Sequence, residues 1–97
     1  MPTYISLIKY TQQGAQNIKE SPARFDAAKK AMQSMGGDLK QVYLTMGQYD
    51  LVIIAEAPDD ETIGRFLLAT GALGNVSTQT MRAFTEDEFR KIVAGLP

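Results

Sequence analysis

Four short stretches of the chain have the pattern of a β-strand: in three of them the side chains alternate with a two-residue period, and the other is a nearly continuous apolar run. Each is rich in β-branched, aromatic or aliphatic side chains and is bounded by glycine, proline or polar residues, as strands usually are. The predicted strands are Thr3–Tyr10, Leu39–Met46, Asp50–Ala57 and Val76–Phe84. The polar interruption between the second and third stretches is too short to hold a helix, so these two strands are predicted to pair as an antiparallel hairpin.

The residues from Ser21 to about Met35, which follow the first strand, have the spacing of apolar side chains that is typical of a helix. Ser21 and Pro22 predict a helix start, because serine can accept hydrogen bonds from free N–H groups and proline at the first helical position loses no needed donor. Apolar residues then recur at spacings of three and four, which predicts a helix to about Met35, closed by the two glycines that follow. The side chains predicted to be buried are Phe25, Ala28, Met32 and Met35. The polar segment Thr11–Glu20 is predicted to be a loop with a short turn around Ile18.

Two further helices are predicted after acidic starts. Residues 58–61 place a proline and three acids at the positive end of a helix dipole, and glycines within residues 71–74 end the apolar stripe that follows. The stripe consists of Ile63, Phe66 and Leu67. Thr85 and Glu88 form a capping box ahead of a C-terminal helix that runs to about Gly95. The side chains predicted to dock this last helix are Ile92 and Val93.

The predicted order of elements is strand, helix, strand, strand, helix, strand, and then an added helix. This is the βαββαβ order of ferredoxin-like α+β sandwiches, here as a single domain over residues 1–97, in which both crossover helices cover one face of the sheet. The third strand, however, is apolar on both of its sides, as a strand is when neither face meets water. We therefore expect a second copy of the chain to cover the opposite face, giving a two-fold dimer with facing sheets.

Composition narrows the chemistry that the chain can perform. It contains no cysteine and no histidine, which excludes thiolate catalysis, Cys-ligated metals and the usual near-neutral proton shuttle, and we expect no metal and no cofactor. The net charge is −1 and the basic residues are interleaved with acids, so no nucleic-acid partner is expected. The longest apolar run, Leu51–Ala55, is far too short to span a bilayer, and the chain opens without a signal-peptide pattern. The sequence thus predicts a cytoplasmic protein with no membrane partner.

The hairpin carries a resemblance to a known family. Gly47-Gln48-Tyr49-Asp50, followed by the apolar run from Leu51, resembles the glycine-tyrosine-aspartate signature of the GYD domain family, with Gln48 inserted into the tripeptide. The resemblance spans the chain from Tyr4 to Phe89. It implies a ferredoxin-like domain of the dimeric α/β-barrel type, found in small bacterial or archaeal proteins whose activity is largely uncharacterised.

Clefts between two such sheets would be lined by tyrosine, threonine and serine side chains. The candidate ligand-binding residues are Tyr4, Tyr43, Thr45, Tyr49, Asp50 and Arg82. Asp50 has two roles open to it: a general base or ligand contact, or an acceptor of backbone N–H groups in the hairpin, which we favour. Tyr49 is equally suited to a ligand contact and to covering the end of the barrel.

Arg82 also has two interpretations. It is a long cation between threonines on an otherwise neutral strand, so it could bind a carboxylate or a phosphate group of a ligand. It could equally form an ion pair with Glu56 or with another acid, and we favour this structural role.

Three classes of function fit these observations. The first is an oligomeric module that binds or senses a small molecule in clefts between subunit sheets. The second is a cofactor-independent enzyme, monooxygenase-like or isomerase-like, that acts on a small aromatic or apolar substrate. The third is a purely structural assembly unit. We favour the first, because this set of residues offers neither a conventional nucleophile with its base nor a metal site.

Overall fold

The computed structural model describes residues 1–97 and contains one four-stranded antiparallel sheet. The strands are β1 (Thr3–Tyr10), β2 (Asp38–Leu44), β3 (Leu51–Glu56) and β4 (Val76–Ala83). Their spatial order is β2-β3-β1-β4, so β3 and β1 are central and β2 and β4 form the edges. The predicted hairpin and the ferredoxin-like βαββαβ order are confirmed.

Two long helices cover one face of this sheet. They are α2 (Ser21–Ser34) and α3 (Asp60–Ala72), and both contribute to a single buried cluster. Its members are Tyr4, Met32, Leu39, Ala55, Ala57, Ile63 and Phe66. Because Tyr4 of β1 and Ala55 of β3 are directly paired and both belong to this cluster, the core lies between the central strands and the two helices.

The helix starts follow local hydrogen bonding. Asp59 caps α3, since its Oδ1 accepts the backbone N–H of Thr62 at 2.8 Å. The predicted capping box of Thr85 and Glu88 is present with both of its hydrogen bonds at the start of α4 (Glu86–Ala94). Ser21, by contrast, does not cap α2: it is the first residue inside that helix.

The prediction of a loop over Thr11–Glu20 is wrong for residues 12–16, which are helical, whereas the short turn predicted around Ile18 is confirmed. The segment contains a short helix, α1 (Gln12–Gln16), and a 3₁₀ turn over Ile18–Glu20. Thr11 caps α1 by accepting the N–H of Gly14, and Gly14 is buried so close to the backbone of Asn75 that a Cβ there would lie 2.0 Å from the carbonyl oxygen. The glycine therefore permits a close approach between two backbones, which the sequence alone does not distinguish from a loop.

The prediction that Ile92 and Val93 dock the last helix is also wrong. These side chains are 50% and 48% exposed, Phe89 is 58% exposed, and no residue of α4 is buried. The apolar side of α4 is therefore uncovered in the single chain. No helix of the chain combines the length and the apolar character needed to cross a bilayer.

Candidate functional site on the open face of the sheet

Strand register defines which residues lie on the face that the helices leave uncovered. Directly paired residues of antiparallel strands point to the same side of a sheet. Since Tyr4 and Ile8 are buried under the helices, the alternate residues of β1 and their partners lie on the opposite side, which we call the open face. Its two central rows are Tyr43-Val52-Leu7-Gln79 and Gln41-Ile54-Ile5-Met81.

The centre of the open face is apolar. Ile5, Leu7, Val52 and Ile54 are adjacent on the two central strands and only partly shielded from solvent; we call these four residues the apolar stripe. Met81 continues the apolar surface on β4 and is 43% exposed. The buried cluster with the two long helices lies on the other face, so these side chains keep partial contact with solvent in the single chain.

Tyr49 lies at the hairpin end of the open face. Its hydroxyl donates a hydrogen bond to Oε1 of Gln79 at 2.5 Å, although Gln79 belongs to the far edge strand. Nζ of Lys9 lies 5.6 Å from the centroid of the Tyr49 ring, within the range of a cation–π contact. Tyr43, on the opposite edge strand, is 52% exposed and borders the apolar stripe through its pairing with Val52.

Thr45 and Asp50 hold the hairpin in shape. The backbone N–H of Thr45 donates to the carbonyl of Asp50 at 2.9 Å, and the Thr45 hydroxyl donates to the carbonyl of Tyr49 at 2.7 Å. Oδ2 of Asp50 accepts the backbone N–H of Tyr10 at 2.9 Å, which ties the hairpin to the end of β1. Asp50 thus accepts a backbone N–H, though from the neighbouring strand and not from its own turn.

Tyr4 and Arg82 lie on the covered face, where they are paired across β1 and β4. Tyr4 is 3% exposed, and its hydroxyl donates to Oδ1 of Asp60 at 2.5 Å. Burial, reinforced by this hydrogen bond and by the charge of Asp60, raises the pKa of Tyr4 to about 12. The Arg82 guanidinium lies 4.4 Å from the centroid of the Phe84 ring and 3.8 Å from a carboxylate oxygen of Glu88.

The six predicted site residues therefore separate into three pairs. Tyr43 and Tyr49 lie on the open face, Thr45 and Asp50 shape the hairpin that positions Tyr49, and Tyr4 and Arg82 are on the other side of the sheet. The sequence analysis missed Lys9 and Gln79, which join Tyr49 on the open face. Side-chain alternation along β1 and β4 shows which of their residues share a face, but placing Lys9 and Gln79 on the same face requires the register between the two strands.

Comparisons with known proteins agree with this architecture. The sequence profile of the GYD domain matches residues 4–93. The chain is 32% identical over 84 residues to a Thermus thermophilus protein named glutamine synthetase and cystathionine beta-lyase binding protein, covering 86% of this chain and 88% of the relative.

Two solved structures share the fold. A crystal structure of a protein from Thermus thermophilus is 25% identical with a TM-score of 0.56, covering 88% of this chain and 95% of that one. The feast or famine regulatory protein from M. tuberculosis, complexed with L-methionine, is 13% identical with a TM-score of 0.67; the match covers 88% of this chain but 51% of the regulator, so the chain spans about half its length. The profile match and the curated relative confirm the resemblance found around Tyr49: the chain belongs to the GYD domain family.

Proposed function

We propose that this chain is a self-associating binding module in which the open faces of two copies pack together and hold a small molecule at their margin. The observation that carries the proposal is the apolar stripe of Ile5, Leu7, Val52 and Ile54, which nothing in the single chain covers. A two-fold pairing suits such a surface, because each copy presents the same apolar patch to the other. Packing of the two sheets would remove these side chains from water.

The margin of the paired sheets is the proposed ligand site. Sheets are twisted, so two packed sheets diverge toward their corners and leave clefts there. Tyr43 and Tyr49 border the apolar stripe, and aromatic side chains with exposed polar tips suit an apolar or aromatic metabolite. Asp50 and Thr45 support this site indirectly, by fixing the hairpin on which Tyr49 lies. No observation in the site favours turnover over binding, so catalysis is not part of the proposal.

Sedimentation velocity of an open-face variant tests the pairing. Ile54→Lys places a charge within the apolar stripe, and we expect it to convert a dimer into a monomer because a buried unpaired charge is costly. Leu68→Lys is the matched control, since Leu68 is 78% exposed on α3, on the helix side of the molecule. A wild-type chain that sediments as a monomer at all concentrations, or an Ile54→Lys variant that remains a dimer, would refute the pairing.

Native mass spectrometry tests the ligand site. We expect the wild-type dimer to retain a co-purifying small molecule and Tyr43→Ala to lose it while remaining a dimer. Retention of the same compound by Tyr43→Ala would contradict a site at this margin.

A second candidate function is the binding of an enzyme partner through α4. The observation that favours it is the exposed apolar side of α4, formed by Phe89, Ile92 and Val93. The curated relative is named for binding glutamine synthetase and cystathionine beta-lyase, which supports a partner of this kind. An amphipathic helix that buries nothing in its own chain is a suitable anchor for a groove on another protein.

Biolayer interferometry with purified glutamine synthetase and cystathionine beta-lyase tests this second candidate. We expect Ile92→Glu to abolish binding, because it charges the apolar side of α4. Lys91→Glu introduces the same residue on the polar side of the helix and should leave binding intact. Equal binding by both variants, or no binding by the wild type, would rule the candidate out.

A further inference from the structure

A concave region also exists on the covered face, between the two long helices. Here α2 and α3 are separated over the sheet by a cleft of about 380 Å³. Ile8, Leu51 and Ile53 lie at its floor, on the central strands, and Phe25 and Phe66 lie at its walls, on the two helices. The cleft is on the opposite side of the sheet from the proposed pairing surface, so the two are independent.

Small side chains on the helices create this cleft. The residues of α2 that line it include Ala27, Ala28 and Ala31, and α3 contributes Ala69. Ala27, Ala31 and Ala69 are exposed, so the cleft opens to solvent between the helices, and larger side chains at these positions would narrow it. The alanines on the facing sides of the two helices therefore leave room for the cleft.

A pair of hydroxyl groups lies among the polar residues of the lining, which also include Thr70 and Asn75. Tyr10 and Ser21 both line the cleft, and their hydroxyl oxygens are 2.7 Å apart. Of their two O–H groups, one is used in the bond between them, and the other is available to a ligand together with the remaining lone pairs. Ser21 is free for this role because it does not cap α2.

No free charge lines the cleft. The guanidinium of Arg24 is the charged group in the lining, and it is already engaged: Nη1 donates to the carbonyl of Asn17 at 3.0 Å and lies 3.6 Å from a carboxylate oxygen of Glu20. A charged ligand would find no unpaired counter-ion there, so no ion pair would offset the free-energy cost of removing its charge from water. The lining thus favours a neutral occupant.

The size of the cleft falls in the range of small-molecule sites, about 300–1,000 Å³.

From these observations we infer that the cleft between α2 and α3 binds a small, neutral, mostly apolar molecule whose single polar group meets the hydroxyls of Tyr10 and Ser21. Apolar contact with Phe25, Ile53 and Phe66 supplies the affinity, and the hydroxyl pair fixes the orientation.

Fluorescence titration of the full chain with N-phenyl-1-naphthylamine, a neutral apolar probe, tests the site. The wild type should bind the probe saturably. Ala31→Leu and Ala69→Leu, made singly and together, should each weaken binding, and the double variant by about tenfold or more, because the added side chains occupy the space. Ala23→Leu is the matched control on α2: Ala23 is exposed and does not line the cleft, so affinity should stay within about twofold of the wild type.

A second experiment tests the role of the Tyr10 and Ser21 hydroxyls. Displacement of the probe by 1-naphthol is compared with displacement by naphthalene, in the wild type and in a Tyr10→Phe/Ser21→Ala variant. The preference for naphthol should fall about threefold to tenfold in the variant, which corresponds to one lost hydrogen bond. An unchanged preference would overturn the assignment of the hydroxyl pair.

Two further results would overturn the cleft itself: no saturable binding by the wild type, or equal binding by the wild type and the leucine variants. Circular dichroism and sedimentation of the same samples verify that each variant is folded and show its association state. A failure of the sheet-face pairing therefore appears separately from a failure of the cleft.

Discussion

Tyr49 and Gln79 are joined by a 2.5 Å hydrogen bond between the tyrosine hydroxyl and the amide oxygen, although they are 30 residues apart in the chain. Tyr49 lies in the loop before β3, and Gln79 lies in the middle of β4, with β1 between the two strands. The bond therefore crosses the open face and fixes the hairpin to the far edge of the sheet. The tyrosine of the family signature thus has a tertiary partner that the signature does not contain.

We expect Tyr49→Phe to lower the free energy of unfolding by about 0.5–1 kcal/mol, because it removes one solvent-exposed hydrogen bond and keeps the ring. The control is Tyr43→Phe, since Tyr43 is 52% exposed and its hydroxyl makes no hydrogen bond within the chain. Urea denaturation followed by far-ultraviolet circular dichroism measures both variants. Equal losses in the two would show that the bond to Gln79 contributes nothing.

Two methionines with opposite environments provide a test of the core. Met32 has 0% exposure within the buried cluster, whereas Met46 is 98% exposed in the hairpin loop. Met32→Ala should lower the free energy of unfolding by about 2–5 kcal/mol, since it leaves a cavity. Met46→Ala should change it by less than about 0.5 kcal/mol in the monomer. Denaturant midpoints of the two variants check this; a small effect of Met32→Ala would mean that the core collapses readily around the truncation.

Gly14 and Gly64 should respond in opposite directions to alanine. A Cβ at Gly14 would lie 2.0 Å from the carbonyl oxygen of Asn75, so Gly14→Ala should destabilise the fold by about 1–3 kcal/mol. A Cβ at Gly64, in the middle of α3, meets nothing within 4 Å, and Gly64→Ala should stabilise the fold by roughly 0.5–1 kcal/mol. Thermal unfolding of both variants measures the contrast. A neutral Gly14→Ala would show that the segment around α1 moves away from Asn75 at little cost.

The raised pKa of Tyr4 predicts a loss of stability in alkali. In the unfolded chain the Tyr4 hydroxyl ionises near pH 10, whereas in the folded chain its pKa is about 12, because of burial and the hydrogen bond to Asp60. The folded state therefore holds more protons than the unfolded state between these values, and its free energy of unfolding falls as pH rises from about 10 to 12.

Urea denaturation of the wild type and of Tyr4→Phe at several pH values between 9 and about 12 isolates this effect, because phenylalanine cannot ionise. The wild type should lose stability more steeply than Tyr4→Phe over that interval. Parallel curves for the two proteins would contradict a buried, raised-pKa Tyr4.

Local features of the fold were predictable because they depend on neighbours in sequence. The capping box of Thr85 and Glu88 formed with both bonds, and every strand was placed within two residues of its observed ends. The segment around Gly14 was not predictable, because its glycine serves a contact with Asn75, which is distant in sequence. Sequence periodicity also identified the apolar side of α4 but not whether the chain covers it.

The candidate site shows the same division. The sequence by itself determined the antiparallel hairpin, the two faces of the sheet and the presence of apolar residues on both sides of β3, because side-chain alternation is a property of each strand alone. Only the tertiary structure decided that Tyr4 and Arg82 lie on the helix side of the sheet while Tyr43 and Tyr49 lie on the open face, since a shift of one residue in register would reverse these positions. The partnership of Tyr49 with Gln79 and the cleft between α2 and α3 likewise depend on how separate elements are placed relative to one another, which long-range packing sets.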